Sequence, residues 1–231
     1  GSKKYSLEAK MKLIYLKKTA LAICGIMIYA FGVVLIIKAD VGLAPWDVFF
    51  LSIAGKLGVS YGTVAIPVNV IVLACALLLH EKIGLATVID TVLSGVFVDV
   101  FTAILKFDTP NSYVLRYAML ICGMVVMSFA VFLYMSAAIG CGPKDSLMVG
   151  VGKRLKKIPV GIARVFIDGT VFTIGFIIDS SLAGIGTAVV AFGFGLIMAA
   201  MFALIKFEPK KIEHENIIQS LKNIFRSEKK A

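Results

Sequence analysis

Residues 20–47 read ALAICGIMIYAFGVVLIIKADVGLAPWD, and residues 118–145 read AMLICGMVVMSFAVFLYMSAAIGCGPKD. Laid over each other at an offset of 98, they agree at 11 of 28 positions. Ala20, Ile23, Cys24, Gly25, Phe31, Val33, Leu35, Ala39, Gly42, Pro45 and Asp47 meet Ala118, Ile121, Cys122, Gly123, Phe129, Val131, Leu133, Ala137, Gly140, Pro143 and Asp145. Apolar composition alone gives about three or four chance agreements in such a window. The weight therefore lies on the recurring Gly-x-x-Pro-x-Asp, which is not an apolar match. Further on the offset becomes 99, pairing Gly62 with Gly161 and Asn69 with Asp168. It then becomes 100, pairing Gly84, Thr87 and Gly95 with Gly184, Thr187 and Gly195. One-residue slips in loops are what a duplicated unit accumulates.

The medium around this repeat is apolar. The 231-residue chain is 59% hydrophobic, with a mean hydropathy of +0.95; soluble chains are roughly 45–50% apolar. The excess is concentrated in runs of the length that crosses a hydrocarbon core of ~30 Å. Six spans are predicted at 19–37, 63–79, 85–105, 114–136, 161–178 and 184–205, with shorter, more polar helices at 45–57 and 143–155. The first run is too long for the core of a signal peptide and reads as a retained span; Gly1-Ser2 reads as a cleavage scar. The expected fold is an all-α polytopic membrane protein. Two inverted three-helix repeats make up its six transmembrane helices, each repeat with an extra broken or re-entrant helix. Residues 1–18 form a cytosolic or interfacial segment, 19–105 the first repeat, 114–205 the second and 206–231 a cytosolic amphipathic segment with Ile217, Leu221, Ile224 and Phe225 on one face. Leu7, Met11 and Ile14 give the N-terminal segment a similar face.

Orientation follows from Lys and Arg, which collect on cytoplasmic loops. With the N-terminus inside, 20 of the 24 basic residues fall inside, leaving Lys38, Lys56, Lys106 and Arg116 outside. Both termini are then cytoplasmic. Three spans per unit make the second copy enter from the opposite face, and the charge count independently puts the two Gly-x-x-Pro-x-Asp connectors on opposite sides. Inverted repeats of this kind are a recurring transporter plan. The net charge of +10 is thus a matter of topology, and no basic stretch has the aromatic spacing of a nucleic-acid surface.

In each motif glycine permits a sharp turn, proline suits the first turn of a helix, and the aspartate suits the dipole and free N–H groups of that turn. Two readings stand: a capped interfacial helix, or a pair of broken helices whose ends meet a substrate. Ionisable groups inside the spans are Asp90, Asp99, Arg164 and Asp168, and such groups face a cavity or one another. Arg164 and Asp168, four residues apart, are expected to pair. Asp90 shares a polar stripe with Thr87, Thr91 and Ser94; Asp99 lies nearly opposite and nearer the outer surface. The candidate substrate-binding residues are Asp47, Asn69, Asp90, Asp145, Arg164 and Asp168. Trp46 reads as an interfacial anchor or cap contact, with substrate stacking the lesser option. Lys153-Arg154-Leu-Lys156-Lys157 reads as an orientation signal. Cys24 and Cys122 read as small packing residues, and Gly193, Gly195 and Ala199 as a surface for close approach.

No catalytic motif is present, and neither the four cysteines nor the isolated His80 and His214 have metal-ligand spacing. The chain is expected to be no enzyme, to need no cofactor and no metal, and to have as partners the lipid bilayer and a small-molecule or ion substrate, with a homodimer left open. The leading function is a small secondary transporter for a polar or cationic solute, working by alternating access. The alternatives are a substrate-binding membrane subunit of an ATP-driven importer, or a non-transporting scaffold or assembly protein; a channel is the remaining variant.

Gly42–Thr63 (GLAPWDVFFLSIAGKLGVSYGT), Gly140–Gly161 (GCGPKDSLMVGVGKRLKKIPVG) and Gly184-Ile-Gly-Thr187 carry a resemblance to the bacterial YczE/YyaS/YitT group of integral membrane proteins. It extends over residues 17–205 and implies a bacterial plasma-membrane protein. The group's pattern has Arg-Asp after the second proline. Lys144-Asp145 departs from it and removes a bidentate guanidinium contact.

Overall fold

The computed structural model describes residues 2–154, 160–208 and 215–220. Among these there is no strand. The helices are α1 (Ser2–Ala39), α2 (Pro45–Leu57), α3 (Tyr61–Leu78), α4 (Leu85–Ile104), α5 (Tyr113–Ser136), α6 (Pro143–Arg154), α7 (Val160–Ile178) and α8 (Ile185–Ile205), with a 3₁₀ turn at Ser180–Leu182 before the last. α1, α3, α4, α5 and α8 are long and apolar enough to cross a membrane. The predicted 161–178 segment is helical as α7. α1 runs unbroken for 38 residues, about 57 Å at 1.5 Å per residue, through the N-terminal segment and the first predicted span. Of the C-terminal amphipathic segment only Ile217 is described; Leu221, Ile224 and Phe225 lie outside the described residues.

α1 and α5 form the centre. In lipid, apolar surface alone does not hold helices together, so small residues that let backbones approach carry the packing. A Cβ on Gly25 would lie 3.0 Å from the Ala130 carbonyl oxygen and 2.9 Å from the Tyr134 nitrogen. One on Gly123 would lie 2.9 Å from the Gly32 oxygen and 3.4 Å from the Ile36 nitrogen. The later residues of α1 thus meet the earlier residues of α5, and the two helices run antiparallel. The contacts are also reciprocal: an offset of 98 converts the first set into the second. It is the glycine after each cysteine that makes the approach; Cys122 is exposed.

The same reciprocity fixes the two breaks. The chain leaves α1 through Asp40 and Gly42 and leaves α5 through Ala138 and Gly140, all four with positive φ. The Val41 carbonyl accepts from Gly186 N–H at 2.8 Å, and the Ile139 carbonyl accepts from Ala86 N–H at 3.0 Å. Thr187 Oγ1 accepts from Gly184 N–H at 3.2 Å and Thr87 Oγ1 from Gly84 N–H at 3.3 Å. Each threonine thereby satisfies a loose donor at the start of its own helix. So the break after α1 docks on the N-terminus of α8, and the break after α5 on that of α4. Beyond the bundle, Glu215 N–H donates to the Ala138 carbonyl and Ile217 N–H to that of Ile83. The Glu215 carboxylate accepts from Lys18 at 3.0 Å and from Tyr15. Burial raises its pKa, but these two bonds and the Lys18 charge outweigh burial and hold it below its ordinary value.

One pairing is not reciprocal. α3 packs along α4, whereas their equivalents α7 and α8 make no comparable packing. At the α3–α4 contact a Gly62 Cβ would lie 2.7 Å from the Gly95 oxygen. Asp99 seals that end by accepting from Gly62 N–H at 2.9 Å and from Ser60 Oγ at 2.5 Å. Gly195, the equivalent of Gly95, has nothing within 4 Å. This corrects the expectation that Gly193 and Gly195 bring the last helix close to a neighbour: Gly193 makes only an ordinary contact, 3.8 Å from Met124. Along α7 itself, Val165, Phe166, Gly169, Thr170, Thr173 and Ile174 line an open groove of about 410 Å³.

A Cβ at Gly84 would fall 2.2 Å from the Ile139 oxygen and 2.3 Å from the Gly140 Cα, whereas at Gly55 it meets open space. Gly84→Ala should therefore destabilise the protein by about 1–3 kcal/mol. Gly55→Ala, in the exposed interior of α2, should be neutral or add about 0.5–1 kcal/mol. Thermal unfolding of the two variants in detergent checks this contrast.

Candidate functional site

Pro45 and Pro143 open α2 and α6 at the positions where a missing N–H costs nothing. Each proline is followed by one residue that differs between the halves, Trp46 or Lys144, and then by the shared aspartate, Asp47 or Asp145. The aspartates are not spent on capping their own helices. Asp47 accepts from the Tyr61 hydroxyl at 2.8 Å. Asp145 accepts from the Tyr134 hydroxyl at 3.3 Å and lies 3.9 Å from Arg164. Trp46 and Asp47 are not at the surface of the bundle: they are buried at 9% and 4% exposure. Nor is Trp46 an interfacial anchor. Its indole N–H donates to Asp168 at 2.8 Å, joining α2 to α7.

Asp168 also forms the expected pair with Arg164, at 3.5 Å. Arg164 is thus shared between Asp168 on its own helix and Asp145 on α6. Asp90 arrives from α4. Its Oδ2 and that of Asp145 lie 3.2 and 3.4 Å from where a Gly142 Cβ would sit, so the missing side chain at Gly142 leaves the space between two carboxylates. The hydroxyls of the stripe around Asp90 bond within their own helix or are buried. Thr91 and Ser94 donate to the backbone carbonyls one turn earlier, and Thr87 is fully buried beneath Gly140. Asp99 stands apart, at the sealed end of α3 and α4.

Five of the six candidates therefore meet: Asp47, Asp90, Asp145, Arg164 and Asp168, from α2, α4, α6 and α7. The sixth, Asn69, is 3% exposed on α3. Ala65 and Val72, one turn to either side of it, pack with Trp46 and Phe50. Its Oδ1 is buried and, among the described residues, has no hydrogen-bond partner. Arg164 and Asp145 remain 45% and 41% exposed, so the cluster opens between α6 and α7, while its Trp46–Asp47 side is closed.

Sequence reasoning missed three members. Lys144 reaches the centre, with its Nζ 5.0 Å from the Trp46 ring centroid and 4.7 Å from that of Phe50. It interacts electrostatically with Asp47, Asp90, Asp145 and Asp168. Its signal was its position: a lysine at the exact equivalent of Trp46, inside a turn that is otherwise repeated. Tyr61 and Tyr134 carried no such mark, because an aromatic in an apolar run is ordinary. Among the described residues no group of three or more potential ligands could hold a metal ion.

Trp46→Phe keeps an aromatic ring and removes the donor to Asp168. It should cost about 1.5–3 kcal/mol, the range for a hydrogen bond to a charged group. Asp168→Asn in the Trp46→Phe background should cost less than in the wild type, since the two groups share one interaction. A double-mutant cycle by thermal unfolding measures both.

Comparison with known proteins agrees with the helical, apolar character of the chain. It is 27% identical to an uncharacterized protein of Haemophilus influenzae over 190 residues, 82% of this chain and 83% of that one. It is 34% identical to the uncharacterized membrane protein YczE of Bacillus subtilis over 130 residues, 54% of this chain and 58% of the relative. It is 25% identical to the uncharacterized protein YyaS of the same organism over 167 residues, 71% and 81% of the two chains. No solved structure matches. This is a membrane protein with transmembrane helices, and with residues 16–203 matching the family model it belongs to a family of unknown function, DUF6198.

Proposed function

We propose that the protein is a small secondary transporter that moves a polar or cationic solute across the bacterial plasma membrane by alternating access of two inverted repeats. α7 is then the sixth span and both termini are cytoplasmic. Asp47, Asn69, Asp90, Asp145, Arg164 and Asp168 bind the solute between the broken helices α2 and α6.

The observation that carries this reading is the unequal pairing of equivalent helices. Every other major contact recurs in reciprocal form, yet α3–α4 is zipped at Gly62, Gly95 and Asp99 while α7–α8 stands open at Gly195. A duplicated unit with one closed and one open copy is what alternating access requires. The open copy is the one that exposes Arg164 and Asp145. With the N-terminus inside, α7–α8 opens towards the cytoplasm, so this conformation is inward-facing. The exchange needs only a few kcal/mol between two packings, a scale that small-residue contacts can supply.

Pairs of spin labels test the exchange in reconstituted membranes: Phe166→Cys with Leu196→Cys across the open pair, and Val59→Cys with Ile104→Cys across the closed one, in a background lacking the native cysteines. Both pairs should give two distance populations, and a bulky Gly195→Trp should remove the short α7–α8 population while enriching the short α3–α4 one. A single, unchanging distance in each pair would contradict alternating access.

A further inference from the structure

Lys144 is the feature of the cluster that its repeat does not explain. Its Nζ stands against the faces of two rings, Trp46 at 5.0 Å and Phe50 at 4.7 Å, which are themselves 5.9 Å apart and inclined at 48°. Among the described residues it makes no ion pair within 4 Å; Arg164 takes the direct contacts to Asp145 and Asp168. The four carboxylates act on the Lys144 ammonium from further away. Aromatic faces in contact, with carboxylates held back, is the environment that recognises alkylated ammonium ions, which present little hydrogen-bonding capacity and a diffuse charge.

The charge balance points the same way. Four carboxyl groups, Asp47, Asp90, Asp145 and Asp168, share the cluster with two basic side chains, Lys144 and Arg164, so its capacity for negative charge exceeds its cations, and uncompensated charge within a bundle is expensive. An arriving cation lowers that cost, and an arriving anion raises it. Asn69 adds a second, independent mark. Trp46 donates to Asp168; the equivalents of these two residues at offsets of 98 and 99 are Lys144 and Asn69. The equivalent bond is not made, and Asn69 Oδ1 is left buried without a partner.

We propose that the ligand of this site is a small organic ammonium ion, and that Lys144 is a tethered stand-in for it. The ligand displaces the Lys144 ammonium from the Trp46 and Phe50 faces, and the displaced side chain donates to Asn69 Oδ1. This rests on reading the cluster as a substrate site. The exchange is cation for cation on the aromatic faces, so the rings are never left without a charge.

Trp46 is the one tryptophan of the chain, so its fluorescence reports on the site directly. The full chain in detergent is titrated with tetramethylammonium chloride, with potassium chloride at matched ionic strength, and with sodium acetate. Tetramethylammonium should give a saturable change that the two controls do not. Lys144→Met should tighten its apparent Kd by about tenfold, and Phe50→Leu, which leaves Lys144 in place, should weaken it by about tenfold. A saturable response to acetate that is lost in Lys144→Met would overturn the ammonium assignment and leave a binding site standing, with Lys144 as an anion contact. A response to neither salt, in the wild type and in both variants, would overturn the assignment and remove the support for a small-solute site as well.

Discussion

A helix broken inside a packed apolar bundle leaves backbone donors and acceptors shut off from water, so protein must answer them instead. The two breaks, at Gly42 and Gly140, are answered by the N-termini of α8 and α4, through Val41 to Gly186 and through Ile139 to Ala86. Each break is held by the other end of its own duplicated partner. That cross-locking sets where α2 and α6 begin, and hence where Trp46, Asp47, Lys144 and Asp145 sit. The close approach of α1 and α5 at Gly25 and Gly123 supplies the distance at which the locking works.

The site that results mixes rigid and adaptable parts. Trp46, Asp47 and Tyr61 are tied into the buried aromatic cluster with Phe50, whose ring meets that of Tyr61 edge-on at 5.4 Å. Arg164 and Asp145 stand at the half-exposed side, beside the groove on α7. In the proposed transporter, a solute entering there would meet the half-exposed charges first and the buried aromatic wall last. The sealed pair α3–α4 lies behind that wall.

Much of this was legible in the sequence. The offset comparison gave the equivalences that the reciprocal contacts follow, and Gly-x-x-Pro-x-Asp located both short helices to within a residue. Ionisable groups in apolar runs are rare enough that Asp90, Arg164 and Asp168 stood out, and all three reach the cluster. What stayed hidden has physical reasons. Lys144 was counted as an orientation signal, because a lysine beside a membrane connector normally is one. Trp46 was taken for an interfacial residue, because its depth depends on how α2 enters the bundle. The vacancy beside Gly195 had no signature, since a glycine that packs and a glycine that waits to pack look alike in one dimension.

The central claim is that one charged site is reached from the two sides of the membrane in turn. The direct test places a cysteine at the site, Lys144→Cys, in a chain whose four native cysteines are replaced, and treats oriented vesicles with a membrane-impermeant thiol reagent from each face. Labelling from both faces is the predicted result. Gly195→Trp, which holds α7 and α8 apart, should leave labelling only from the cytoplasmic side. Labelling from a single face in the parent, unchanged by Gly195→Trp, would contradict the account and leave a charged pocket without alternating access.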